Sequence, residues 1–212
     1  MKFLSDHHTH HHHYHHHHHY HHHHQINDLV EQEPTSKISS FLHHSTHNAS
    51  SSSAAPDLSK MPAYKVFCKA DPNFHLTIKD DKVVLAPADP SDEYQNWYKD
   101  EKFSTGLKDE EGCPCFSLVN IASGQAMKHS IGDTHPVQLI AYNLEVLDGV
   151  VLWSEGKELG DGYRAVRMIN NIRLNVDAFQ GNKECGGVHT GTTVGLWQWN
   201  GGDNQQWKIT PV

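Results

Sequence analysis

The chain has 212 residues, 22 histidines and a formal net charge of -8. This length suits one ordinary domain or two small ones. The acidic balance, with no stripe of lysines and arginines, argues against general binding of nucleic acid, which needs clustered cations to displace counterions. No segment has the length and apolar character of a membrane span. We therefore expect neither nucleic acid nor membrane insertion.

The first 62 residues form a segment of distinct composition. They contain the tract HHTHHHHYHHHHHYHHHHQ and then a Ser-rich stretch, with too few apolar residues to offset the entropy lost on ordering. We predict a disordered His/Ser-rich tail over residues 1–62 and a folded domain over 63–212. The dense imidazoles make the tail a candidate site for metal ions.

The folded part contains a threefold repeat of short strand-like runs. Each unit has four runs, and turn residues separate them without a convincing 3.6-residue period, which predicts an all-β fold. Three units of four strands predict a β-trefoil. The runs begin at Tyr64, Phe74, Lys82 and Asn96, at Cys115, Gln125, Val137 and Val151, and at Tyr163, Ile172, Thr193 and Trp207.

Each unit closes near a tryptophan, and two of the three tryptophans stand in a Gln-x-Trp sequence. This pattern resembles that of the ricin B-like lectins over residues 63–212. The stretches LWQWNGGDNQQW and VLWSEGKELGDGYRAVRMINNIRLNVDAF narrow the resemblance to the plant Euonymus-related (EUL) lectins. The resemblance implies a non-enzymatic lectin that binds glycans or glycoproteins in the nucleus and cytoplasm and acts in plant stress responses. The lack of an apolar export segment at the start fits that location.

A comparison of the three units separates a candidate site from the framework. In the second strands, Lys79 and Lys128 align with Asp177, and only the third unit also has an indole, Trp197, on the next strand. A carboxylate accepts two hydroxyl hydrogen bonds, while an aromatic ring covers the C–H patch of a sugar. We therefore predict one main glycan site, in the third repeat.

The resemblance implies Asp177 as the hydroxyl acceptor, Trp197 as the stacking platform and Asn204 as a second polar clamp. Trp199 is an alternative platform because it projects from the same strand face as Trp197. Gln205 belongs to the Gln-x-Trp signature, and its amide either contacts the sugar or bonds backbone.

Several neighbouring residues leave alternatives open. Gly195 departs from the glutamine that often precedes the stacking residue by two, and Phe179 and His189 are candidates for the rim of the site. A weaker second pocket in the second repeat would use His129, Gln138 and Tyr142.

Other chemistry has little support in the sequence. Cys113 and Cys115 lack the spacing of a zinc site, and we expect all four cysteines to be reduced thiols. No catalytic motif or cofactor fingerprint appears, so we expect no enzyme and no cofactor. A protein-interaction trefoil, or a metal-binding scaffold that uses the His-rich tail, remains an alternative function.

Overall fold

The structure is a computed structural model that describes residues 57–212. This part contains twelve β-strands, each beginning within two residues of its predicted start. The strands are β1 Tyr64–Cys68, β2 Phe74–Lys79, β3 Lys82–Pro87, β4 Trp97–Asp100, β5 Cys115–Asn120, β6 Gln125–Lys128, β7 Gln138–Ala141, β8 Trp153–Glu158, β9 Arg164–Met168, β10 Asn171–Ala178, β11 Thr192–Gln198 and β12 Trp207–Pro211.

Six strands close into an antiparallel barrel. β1 pairs with β4, β4 with β5, β5 with β8, β8 with β9, β9 with β12, and β12 with β1, so the ring has no free edge. The other six form three hairpins, β2–β3, β6–β7 and β10–β11. The predicted β-trefoil is confirmed, with one hairpin and two barrel strands for each repeat.

One tryptophan from each repeat anchors the core. All three indoles are at most 1% exposed, and each Nε1 donates to a main-chain carbonyl of the second strand in its own repeat. These equivalent bonds run from Trp97 to Leu76 at 2.9 Å, from Trp153 to Met127 at 2.9 Å and from Trp207 to Val176 at 2.8 Å. A buried indole needs such a partner, so each bond sets the register between the barrel and its hairpin.

The glutamine of the Gln-x-Trp sequence holds the end of the third strand. Gln95 donates from Nε2 to the carbonyl of Pro87 at 2.8 Å and accepts from the amide of Asp89 at 3.0 Å. Gln205 makes the same pair of bonds in the third repeat, while Val151 takes this place in the second. The signature is therefore a framework feature that two of the three repeats use.

The described part of the chain begins at Asp57, before the predicted domain boundary. Leu58–Lys60 form a 3₁₀ turn, capped by Asp57, whose carboxylate accepts from the amide of Ser59 at 3.1 Å. Leu58 packs against a small apolar cluster of the second repeat. This 3₁₀ turn is thus attached to the domain through Leu58. The His tract, for which we predict disorder and metal binding, lies within residues 1–56, outside the described part of the chain.

No helix within residues 57–212 is both long enough and apolar enough to cross a membrane.

Candidate functional site

The indole hydrogen bonds identify equivalent positions in the three hairpins. The residue after each accepting carbonyl is Thr77 in the first repeat, Lys128 in the second and Asp177 in the third. The predicted alignment of Lys79 with Asp177 is therefore wrong by two positions. Lys79 pairs with Lys82 at the tip of its hairpin, where both side chains are exposed. The alignment of Lys128 holds.

The register of β10 and β11 brings the predicted site residues to one face. Asp177 lies opposite Gly195, and Asn175 lies opposite Trp197, so these four positions point to the same side of the hairpin. The indole of Trp197 is 41% exposed, whereas Asp177 is 3% exposed. An open aromatic surface therefore stands diagonally across from a nearly buried carboxylate.

Asn204 completes the polar end of the site. It is the middle residue of the 3₁₀ turn Asp203–Gln205, and its Nδ2 donates to Oδ1 of Asp177 at 3.0 Å and to the carbonyl of Ala178 at 3.1 Å. These two bonds fix the orientation of the Asn204 amide. They also hold the carboxylate in one position before any ligand arrives.

A glycine makes room for this amide. The corresponding 3₁₀ turns of the other repeats are capped by Asp92 and Asp148, but the third repeat has Gly202. A Cβ at Gly202 would overlap Oδ1 of Asn204 and lie 2.9 Å from Oδ1 of Asn200. The exchange of an aspartate cap for glycine is therefore a sequence signal for the site, and sequence reasoning missed it.

The structure places Gln205 behind the site rather than in it. Its side chain is 0% exposed, and its amide bonds the backbone of Gln198 at 2.9 Å and of Asn200 at 2.8 Å. Of the two roles that the sequence left open for this amide, the structure shows the bonds to backbone, through which Gln205 fixes the loop that carries Asn204.

Phe179 occupies the space beside the platform. Its ring lies edge-on to Trp197, with centroids 6.1 Å apart and planes at 76°. A Cβ at Gly195 would overlap this ring, so glycine at that position admits the phenylalanine. Phe179 and His189 also line a neighbouring cleft of 410 Å³. With glycine instead of glutamine at position 195, the ring of Phe179 therefore takes the space that a polar side chain would occupy.

The strand that carries Trp197 is held on both edges. A segment of the second repeat runs along it and forms backbone hydrogen bonds with it. The amide of Thr134 donates to the carbonyl of Leu196 at 2.8 Å, and the amide of Leu196 donates to the carbonyl of His135 at 3.0 Å. The amide of Val137 donates to the carbonyl of Val194 at 3.1 Å. The beginning of β11 also pairs with β3 of the first repeat. All three repeats thus fix the backbone of this strand.

Burial sets the proton affinity of the central carboxyl. Desolvation raises the pKa of Asp177 from 3.8 to about 6, and the nearby amides of Gln205 and Asn204, of which Asn204 donates to Oδ1, act in the opposite direction. The charge of Asp133, which accepts from Nε2 of Gln198 at 3.1 Å, adds to the increase in the pKa. Asp177 is therefore mostly ionised at pH 7 and remains an acceptor of hydroxyl hydrogen bonds.

The equivalent positions in the other repeats offer no such combination. The positions of Asp177, Trp197 and Asn204 are taken in the second repeat by Lys128, Ile140 and Val150. In the first repeat they are taken by Thr77, Ala86 and Tyr94. The hydroxyl of Thr77 is already bonded to Asp92 at 3.1 Å.

Two residues of the second-repeat pocket are used by the fold. His129 is buried against Trp153, and its Nε2 lies 2.6 Å from the carbonyl of Leu152, while burial lowers its pKa. The hydroxyl of Tyr142 donates to Asp100 at 2.9 Å. Only Gln138 of the three is exposed. These contacts explain the two side chains without a ligand.

The cysteines and acidic side chains of residues 57–212 form no cluster of three that could hold a metal ion. All four cysteines are free thiols. Burial raises the pKa of the Cys68 thiol to about 11, so this side chain stays protonated in the core.

No protein-family model matches the chain. Curated relatives do: "Ricin B-like lectin EULS3" of Arabidopsis thaliana is 54% identical over 199 residues, which cover 87% of this chain and 63% of that protein. "Ricin B-like lectin R40G3" of Oryza sativa subsp. japonica is 56% identical over 154 residues, or 73% of this chain and 76% of that protein. The chain thus spans less than two thirds of the Arabidopsis relative's length.

Among solved structures, the designed threefold-symmetric protein ThreeFoil matches with a TM-score of 0.54 at 20% identity, covering 71% of this chain and 99% of the other. A likeness at this identity shows the trefoil fold alone. The curated relatives show more, because one of them is 56% identical and the chain spans 76% of it. The chain therefore belongs to the ricin B-like lectin family, of the plant EUL type.

Proposed function

We propose that this protein binds carbohydrate through one main site in the third repeat, formed by Asp177, Trp197 and Asn204. One observation carries the proposal: among the three hairpins of the described domain, only β10–β11 places a carboxylate, an exposed indole and an amide together. The lectin names of the relatives point to the same class of ligand.

Each residue has a distinct task in this site. Asp177 accepts hydrogen bonds from two neighbouring sugar hydroxyls, and Asn204 holds the carboxylate and offers its own oxygen to a further hydroxyl. Trp197 covers the apolar face of the pyranose ring, and Phe179 limits the space beside it. This division of tasks matches the two surfaces of a sugar, one polar edge and one apolar face.

The proposed site is small, so the expected affinity is modest. A monosaccharide buries little area against the ordering costs of association, which places binding in about the micromolar to millimolar range. Clustered glycans on a glycoprotein would raise the effective affinity by avidity.

Titration calorimetry with galactose, mannose and N-acetylglucosamine tests the proposal. Asp177→Ala removes a charged acceptor of hydrogen bonds worth about 1.5–3 kcal/mol each, so binding should weaken at least tenfold. Lys128→Ala at the equivalent position of the second repeat is the matched control and should bind as the parent does. Equal binding by Asp177→Ala and the parent would remove the third repeat as the site.

We also propose that the protein binds sugars without cleaving them. Hydrolysis of a glycosidic bond ordinarily needs two carboxyl groups that flank it. The acid whose charge acts on Asp177 is Asp133. Its carboxylate already accepts a hydrogen bond from Nε2 of Gln198. Release of nitrophenol from a panel of nitrophenyl glycosides would contradict this part of the proposal.

The resemblance to EUL lectins supports a location in the nucleus and cytoplasm and a role in plant stress responses. Microscopy of a fluorescent fusion checks the location, and loss of the gene under osmotic stress checks the role. Removal of residues 1–56 separates the tail from the site: sugar binding should persist, whereas any binding of zinc ions should fall.

A further inference from the structure

A second cleft opens beside the proposed sugar site. It has a volume of 440 Å³ and lies between the β8–β9 hairpin and the ends of β10 and β11 that point away from Asp177. Its walls include Trp199, Arg173, Asn175, Arg167, Glu110 and Lys157. This volume falls in the range of about 300–1,000 Å³ that is usual for small-molecule sites.

The cleft and the sugar site share one face of β10. Arg173, Asn175 and Asp177 alternate along β10 and therefore point to the same side. The ladder to β11 continues beyond the strand, because the amide of Trp199 donates to the carbonyl of Arg173 at 3.3 Å. Trp197 and Trp199 thus follow each other on one face, about 6.6–6.8 Å apart along the chain.

Trp199 gives the cleft an apolar surface of its own. Its side chain is 43% exposed, nearly the same as the 41% of Trp197, although indoles are costly to leave in water. The three indoles of the core show that this fold buries tryptophan where it serves packing. Two exposed indoles side by side therefore indicate a ligand surface longer than one sugar ring.

One charged side chain of the cleft, Arg167, is held by two ion pairs. Arg167 forms ion pairs with Asp109 and, at 2.7 Å, with Glu111, and its Nε has no acceptor among residues 57–212. The lining has two acids, Glu110 and Glu111, and three bases, Lys157, Arg167 and Arg173. The buried Asp109 behind the lining balances the third positive charge through its ion pair with Arg167. Donors and acceptors without net charge suit an uncharged, hydroxyl-rich ligand better than an anion.

We propose that the cleft is a second subsite, which takes the adjoining neutral sugar residue of an oligosaccharide whose first residue stacks on Trp197. Trp199 packs against this second residue, and Arg173 and Glu110 bond its hydroxyls. The inference rests on the proposed function, because it extends the same site. It makes the preferred ligand a di- or oligosaccharide.

The test compares monosaccharides with disaccharides by titration calorimetry on the full chain. The pairs are galactose with lactose, and mannose with α1,2-linked mannobiose. For at least one pair, the parent should bind the disaccharide about tenfold more tightly, which corresponds to about 1.4 kcal/mol. In Trp199→Ala this ratio should fall to near one, because the lost affinity falls on the disaccharide. Arg173→Ala should lower the ratio in part.

Matched variants distinguish the two proposals. Trp197→Ala should weaken the binding of monosaccharide and disaccharide alike, and this loss tests the proposed function. The ratio of the two affinities remains the measure of the second subsite. Tyr94→Ala, which removes a similarly exposed aromatic ring from the first repeat, should keep the parental ratio. A parental ratio in Trp199→Ala, or an equal loss for both sugars, would overturn the second subsite. A parent that binds none of the four sugars would overturn both proposals.

Discussion

Gly202 offers a direct test of how the third repeat differs from the other two. Gly202→Asp would restore the cap that Asp92 and Asp148 provide, because the backbone at Gly202, with φ -63° and ψ 148°, suits any residue. The new Cβ would lie closer to Oδ1 of Asn204 than van der Waals contact allows. The amide of Asn204 must then rotate and lose its bonds to Asp177 and Ala178.

The structure sets the size of both effects. A new N-cap contributes about 0.5–2 kcal/mol to stability. The lost bonds cost about 1.5–3 kcal/mol for the one to the carboxylate and about 0.5–1.5 kcal/mol for the one to the carbonyl. We therefore expect the domain to remain folded with a modest decrease in stability. Sugar binding should weaken at least tenfold, because the clamp and the orientation of Asp177 are lost together.

Calorimetry measures the sugar affinity of this variant, and urea denaturation measures its free energy of unfolding. Asp148→Gly is the reciprocal control: loss of that cap in favour of glycine should cost only a few tenths of a kcal/mol and leave sugar binding unchanged. Parental affinity in folded Gly202→Asp would refute the reasoning that the glycine exists to admit Asn204.

Three further outcomes follow from other features. Trp207→Ala should lower the free energy of unfolding in urea by about 3–5 kcal/mol, because it empties a core position and leaves the carbonyl of Val176 unpaired. Lowering the pH from 7 to 5 should weaken sugar binding in calorimetry, since Asp177 takes up a proton near pH 6. Its contribution to stability should rise over the same interval, because its pKa is higher in the folded state than in the unfolded chain. Reductant should leave the Tm unchanged in a calorimetric scan, since all four cysteines are free; a fall of several degrees would reveal a disulfide.

The repeat frame could be predicted from sequence because it depends on residues that recur. A tryptophan at the end of each unit, and the glutamine before two of them, report a packing position that every repeat needs. The pairing of Asp177 with Trp197 could also be predicted, since strand periodicity alone puts diagonal neighbours on one face. These inferences needed no knowledge of the loops.

The misalignment of Lys79 has a physical origin in hairpin length. Asp80 and Asp81, with φ of 51° and 56°, form a two-residue turn that lets β2 continue two residues past Thr77. In the third repeat, a long loop follows Ala178 instead. Alignment by position within the strand-like runs therefore shifted the first repeat, whereas alignment by the indole bonds does not. Gln205 was ambiguous for a related reason, since its bonding partners are backbone groups that sequence does not identify.

Because β11 is bonded along both edges, the sugar site depends on more of the chain than the third repeat. The backbone of β11 is bonded to the first repeat, to the segment from Thr134 to Val137 of the second, and to β10 of the third. The platform is thus organised before a sugar arrives, and association need not order that strand. A protein assembled from copies of the third repeat would also have to preserve the neighbouring segments. The site consequently depends on the whole trefoil. A single third repeat would carry the binding side chains but would lack the segments that position them.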